Sequence, residues 1–117
     1  MAKNENKLSP MRITAEDGNV YVLEFDRDSV RFAENRGFDV SELTKYPNTN
    51  IPALFYYAFR KNHKSVSRGQ TDAILGEMQG LTTAEIERLV QLYNQPVESL
   101  LILDDGGRKN SKVTVEL

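Results

Sequence analysis

Residues 50–63, NIPALFYYAFRKNH, hold more apolar surface than one face of a helix can carry. At about 100° per residue, Ile51, Leu54, Phe55, Ala58 and Phe59 fall within an arc of roughly 140°, the width of an ordinary core stripe. Tyr57 lies at its edge, and Tyr56 points away from it, toward the side shared with Arg60 and His63. The segment is expected to be a helix with a core face and a second, aromatic and basic face. Pro52 near the first turn, with Thr49 or Asn50 as N-cap, marks the expected start, because proline sacrifices nothing where the N–H has no intrahelical partner. Tyr56 is then either a surface tyrosine with its hydroxyl in water or part of a docking site. The residues favour neither.

A hairpin precedes this helix. MRITA and VYVLEF flank Glu16-Asp17-Gly18-Asn19, and Asp-Gly between two β-rich runs predicts a two-residue type I′ turn. That turn pairs Ala15 with Val20, sets Ile13 opposite Val22 and Thr14 opposite Tyr21, and leaves apolar groups on both faces, with Leu23 and Phe25 beside Tyr21. A lone hairpin is marginal in water, so a third strand is expected from the C-terminal KVTVEL, where Val113, Val115 and Leu117 alternate with polar residues.

Four further helical pieces follow from caps and periodicity. Asp26 or Asp28 caps a helix through about Arg36, with Val30 and Ala33 inward and Gly37 as its left-handed stop. Phe38, Val40 and Leu43 continue in a short helical turn that ends before Tyr46-Pro47. Ser67 with Gln70 is a capping box for a helix ending near Gly80, whose shared face is Thr71, Ile74, Leu75 and Met78. Thr82 with Glu85 is a second box. After it, Ile86, Leu89, Val90, Tyr93, Val97, Leu100 and Leu101 lie within about 120° of arc, a stripe that Pro96 splits into Thr83–Asn94 and a second piece, residues 96–103. The fold class is α+β: an N-terminal β-hairpin, three-stranded if the C-terminal strand joins it, on four to five helices. Residues 1–10 read as a flexible lead-in, 11–103 as one domain, and 104–117 as a flexible tail or edge strand.

Little in the chain points to catalysis. With no cysteine and His63 as the single histidine among 117 residues, neither a Cys/His pair nor a multi-histidine metal site can be built in one chain. There is no GxxxxGK[ST] and no GxGxxG, and no two carboxylates are placed in an apolar pocket by any pattern. The expectation is no enzyme, no metal and no cofactor. The polar start MAKNENKLSP lacks the apolar stretch of a secretory signal and no run is long enough to span a bilayer, so a cytoplasmic protein is expected. A net charge of −2 gives no global pull toward nucleic acid or membrane. Residues 51–63, a turn and residues 68–79 have the outline of a helix-turn-helix, with Arg60, Lys61, Lys64 and Arg68 as a basic patch. Asp72 and Glu77 on the second helix oppose phosphate contact.

The order of pieces carries a resemblance. VYVLEF, the ENRGF segment, LTKYPNTNIPALFYYAF and TTAEIERLVQLYNQPVESLL together resemble the tail assembly chaperones, small proteins of tailed phages of Gram-positive bacteria and their prophages. The likeness covers about residues 11–103 and rests on packing residues. It implies a protein that binds the long helical tape-measure protein and keeps it soluble in the host cytoplasm until tail-tube subunits polymerise around it, with the major tail tube protein as a further candidate partner. The expected partner-binding residues are Tyr56, Tyr57, Arg60 and His63 on the central helix, and Leu89, Tyr93, Val97 and Leu101 of the later stripe. Apolar faces on hairpin and helix also make self-association an expectation. A small DNA-binding or regulatory protein of phage or mobile-element origin is the alternative function, and a minor virion protein for tail completion the second alternative.

Overall fold

The hairpin closes through three residues, one more than the two-residue turn expected from Asp-Gly. In the computed structural model, which describes residues 8–100 and 112–117, strands β1 (Met11–Thr14) and β2 (Val20–Leu23) are antiparallel, with Met11 opposite Leu23 and Thr14 opposite Val20. The Ala15 N–H donates to the Asn19 carbonyl at 2.8 Å and the Gly18 N–H to the Ala15 carbonyl at 2.9 Å. Gly18 has φ +89° and is the one residue of the loop at positive φ. This is the turn followed by a left-handed glycine that a three-residue hairpin loop adopts.

The additional loop residue moves the register by one, so that Ile13 faces Tyr21 in place of Val22. Such a slip exchanges the two faces of one strand. Here it gathers Met11, Ile13, Tyr21 and Leu23 on the inner face and leaves Arg12, Thr14 and Val20 exposed. The two-faced hairpin inferred from the shorter turn becomes an ordinary one-sided sheet. The expected third strand is not shown: the sheet has two strands among the described residues, and Lys112–Leu117 is exposed and lies outside them.

Helix α1 (Arg27–Glu34) starts at Asp26, whose carboxylate accepts from the Ser29 N–H at 2.8 Å while the Ser29 hydroxyl accepts from the Asp26 N–H at 2.9 Å. It stops at Gly37, φ +84°, with Gly37 N–H bonded to Glu34 O and Phe38 N–H to Ala33 O, both near 3 Å; the pairing is that of a Schellman cap. A 3-10 turn, Val40–Glu42, then carries the chain to α2 (Pro47–Ala58).

α2 begins earlier than Thr49 or Asn50. Pro47 takes the first position and Pro52 sits inside the helix. Tyr46, ahead of a proline, has φ −129° and ψ 68°, outside the helical region as the proline ring requires. The Asn50 side chain, not a cap, donates to the Glu42 carbonyl at 2.9 Å. α3 (Arg68–Met78) and α4 (Thr83–Asn94) keep both expected capping boxes. After α4 the chain tightens into a 3-10 turn, Gln95–Ser99, where a second α-helical piece was expected; residues 101–103 of that piece lie outside the described residues. The lead-in is tied down at its end, where Leu8 packs on the core and the Arg88 guanidinium donates to the Ser9 carbonyl at 3.2 Å.

The core is built around α2. Ala53, Leu54, Phe55, Tyr57, Ala58 and Phe59 are all buried, because α1, α3 and α4 each pack on this helix and the hairpin meets its C-terminal end. A helix enclosed in this way is apolar nearly all round. That enclosure, and not a spare docking face, accounts for most of the surplus in residues 50–63.

Two glycines give opposite expectations. Gly18→Ala forces a side chain into the left-handed region and should cost about 1 kcal/mol. Gly76→Ala, inside α3 with nothing within 4 Å of the added Cβ, should stabilise by about 0.5–1 kcal/mol. Denaturant midpoints of the two variants read the sign directly.

Candidate functional site

Of the eight residues expected to bind a partner, seven lie among the described residues, and they divide into buried, half-buried and exposed positions. Tyr57, Leu89 and Tyr93 are buried and are corrected as contact residues: they are interior. The rings of Tyr57 and Tyr93 join a continuous aromatic series: Phe25 to Tyr93 at 5.0 Å, Tyr93 to Phe38 at 5.4 Å and Tyr57 to Phe32 at 6.0 Å are edge-on, and Phe38 to Tyr57 at 5.4 Å is tilted. Each such pair contributes about 0.5–1.5 kcal/mol beyond the area it buries.

His63 is half-buried and tied to the hairpin. Its Nε2 accepts the Val22 N–H at 2.9 Å, and its ring stands edge-on to Tyr21 at 5.2 Å. An Nε2 that accepts must be the unprotonated nitrogen of the ring. Tyr56 is half-buried, with its ring 5.2 Å from that of Tyr57 and 5.7 Å from the Arg68 guanidinium carbon. The Arg60 guanidinium carbon lies 3.9 Å from the centre of the Phe32 ring and that of Arg36 lies 3.5 Å from it. Each cation over the ring is worth about 0.5–2 kcal/mol. Val97 remains exposed, at 46%; Leu101 lies outside the described residues.

The patch read as a helix-turn-helix basic surface is partly neutralised. Lys61 pairs with Glu24 at 3.1 Å and Arg68 with Asp72 at 3.3 Å. No helix among the described residues is long and apolar enough to cross a membrane, and no group of three or more His, Cys, Asp or Glu residues among them is placed to hold a metal.

The open apolar surface is elsewhere. Leu43 from just after the 3-10 turn, Ile51 from the first half of α2, and Ile86 and Val90 from α4 line a groove of about 460 Å³, with Thr44, Thr83, Glu87 and Gln91 completing its walls. Ile51, Ile86 and Val90 are each half-buried. Ile86 and Val90 are one helical turn apart on α4 and so present adjacent side chains to the groove. Sequence reading placed them in the core stripe. No spacing separates them from Leu89: at about 100° per residue Ile86 lies mid-stripe and Leu89 at its margin, and the face that is buried is rotated toward Leu92, which the stripe left out.

One family matches the chain along its full length. The chain belongs to the family described as Domain of unknown function (DUF5055). The family matches residues 1–117, so the hairpin and all four helices fall within it. No curated protein and no solved structure matches the chain.

Within this DUF5055 chain, Tyr93 carries a strong electrostatic signature. Burial pushes its phenol up from 10.0 to about 12, with Glu34, Asp39 and Tyr57 adding to the shift. The fold holds the neutral phenol, so its contribution is complete below pH 10 and is lost as pH rises toward about 12. Tyr93→Phe cannot ionise and should flatten the fall in stability across that window, whereas Tyr46→Phe, at an exposed ring, should leave the fall as in the parent. Urea midpoints at about pH 9 and about pH 11 make the comparison.

Proposed function

We propose that the chain is a phage tail assembly chaperone that acts by non-covalent binding of the tape-measure protein in the bacterial host cytoplasm. The supporting sequence likeness covers about residues 11–103, and the observation that carries the reading is the apolar groove lined by Leu43, Ile51, Ile86 and Val90. A tape-measure protein is a long amphipathic helix whose apolar stripe promotes aggregation when uncovered, and a groove between packed helices is the surface that accepts such a stripe.

The size of the groove fits a reversible grip. Roughly 1.5–3 kcal/mol accompanies complete burial of each aliphatic side chain, and part of that is offset by the freedom lost on association. Two or three anchors therefore give weak contact at each site, with avidity from many copies along a long partner. Weak contact permits release when the major tail tube protein, the second proposed partner, takes over the same helix. A DNA-binding role draws less support, since Lys61 and Arg68 are engaged with carboxylates and α3 presents Asp72 and Glu77.

Co-expression with the long helical protein of a neighbouring gene tests the proposal. The parent chain should convert that product from insoluble to soluble and co-purify with it. Ile86→Arg with Val90→Arg should abolish both effects while the thermal transition is retained, and Tyr56→Ala, outside the groove, should leave both intact. An insoluble product with the parent chain defeats the chaperone reading; a soluble complex with the double variant defeats the groove as its site.

A further inference from the structure

The sheet has one edge closed and one open. On β2, the Val22 N–H is bound by His63 Nε2 at 2.9 Å, the Val22 carbonyl accepts from Asn62 Nδ2 at 3.1 Å, and the Glu24 N–H donates to the Ala58 carbonyl at 3.2 Å. No strand can add there. In an antiparallel pair, directly opposite residues turn their backbone groups the same way, either both toward or both away from each other. Val22 turns away from β1, so Arg12 opposite it turns away from β2, and Thr14, two residues on, does likewise. Among the described residues nothing meets the backbone groups of Arg12 and Thr14 on that side, and both residues are exposed. An edge in this state is a template for another strand.

We propose that residues Lys112–Leu117 of the same chain dock on this edge as a third, antiparallel strand, with Arg12 opposite Glu116 and Thr14 opposite Thr114. The inference stands apart from the tape-measure reading. Val113 and Val115 are 70% and 56% exposed, and they alternate with Lys112, Thr114 and Glu116 in strand fashion. The side chains select the register. Antiparallel pairing in this frame joins opposite charges and two threonines on the solvent face, and sets Val115 beside Ile13 and Leu117 beside Met11 on the core face. Parallel pairing of Thr14 with Thr114 would set Arg12 against Lys112. A slip of one residue would turn the valines to solvent.

Covalent reach allows it. Twelve residue steps from Leu100 to Lys112 span at most about 40 Å, more than the two shorter dimensions of the molecule, 32 and 26 Å. Tethering also places the segment at an effective concentration of about millimolar, which favours the chain's own segment over that of a second copy.

Because the chain has no cysteine, Thr14→Cys with Thr114→Cys supplies a clean crosslink. Opposed residues of a hydrogen-bonded antiparallel pair have Cα atoms about 5.5 Å apart, inside the range a disulfide accepts. Oxidation at micromolar protein should give an intrachain disulfide at least tenfold faster than in Thr14→Cys with Val113→Cys, whose second thiol belongs to the other face. In addition, Val115→Asp should speed hydrogen exchange at the Arg12 and Thr14 amides at least tenfold without unfolding the core. A crosslink only between chains, equal rates in the two cysteine pairs, or unchanged exchange at both amides overturns the proposal.

Discussion

The attachment of β2 to the C-terminal end of α2 decides most of the architecture. A two-stranded ribbon has too little interior to persist alone, and this one is held by hydrogen bonds from residues more than thirty positions away: Glu24 to Ala58, and Val22 to both Asn62 and His63. Lys61 adds an ion pair to Glu24 at 3.1 Å, and the Tyr21 ring lies 5.3 Å from that of Phe59. Each neutral hydrogen bond is worth only about 1 kcal/mol net. Together with the buried rings they fix one edge of the hairpin to the helix and, among the described residues, leave the other edge uncovered.

The same attachment explains why a single helix needs so many aromatic residues. α2 is surrounded, so its second face meets α1 and the 3-10 turn in place of water. Tyr57 fills that side between Phe32 and Phe38. The aromatic series then ends at the surface, where Phe32 is covered by Arg36 and Arg60. Guanidiniums over a ring shield apolar area while keeping their charge in water. The basic residues beside the tyrosines, which suggested a docking face, act here as the lid on an interior cluster.

Elements specified by neighbours in sequence were legible, and those specified by distant neighbours were not. The boxes at Ser67 and Thr82 and the stop at Gly37 are hydrogen bonds across three to five residues, so side-chain identity alone announces them. α4 runs over Thr83–Asn94 as its periodicity indicates. The hairpin loop failed because Asp-Gly serves both the two- and the three-residue turn, and the choice is made by which face of β1 must be buried. The start of α2 failed because Pro47 and Pro52 both suit a first turn, and the Tyr46 backbone settles it. His63 was unreadable: its partner is a backbone N–H forty-one positions away, and no spacing rule connects them.

The groove follows from similar geometry. A helix packed against its neighbours on one side buries the residues turned toward them and leaves the residues on its flank half-covered. On α4 and the turn after it, Leu89, Leu92 and Tyr93 are buried, Ile86 and Val90 are half-covered along one flank, and Val97 and Leu100, past the end of α4, are exposed. The two apolar surfaces differ in company. Ile86 and Val90 have Leu43 and Ile51 across from them, whereas Val97 and Leu100 share a recess with Asp26, Arg27, Asp28, Arg31 and Glu34 of α1 and its cap. An apolar partner gains by desolvating the first surface, and at the second it would strip water from charges it could not replace. That asymmetry is why the groove between α2 and α4, and not the more exposed C-terminal end of the stripe, is the surface suited to another helix.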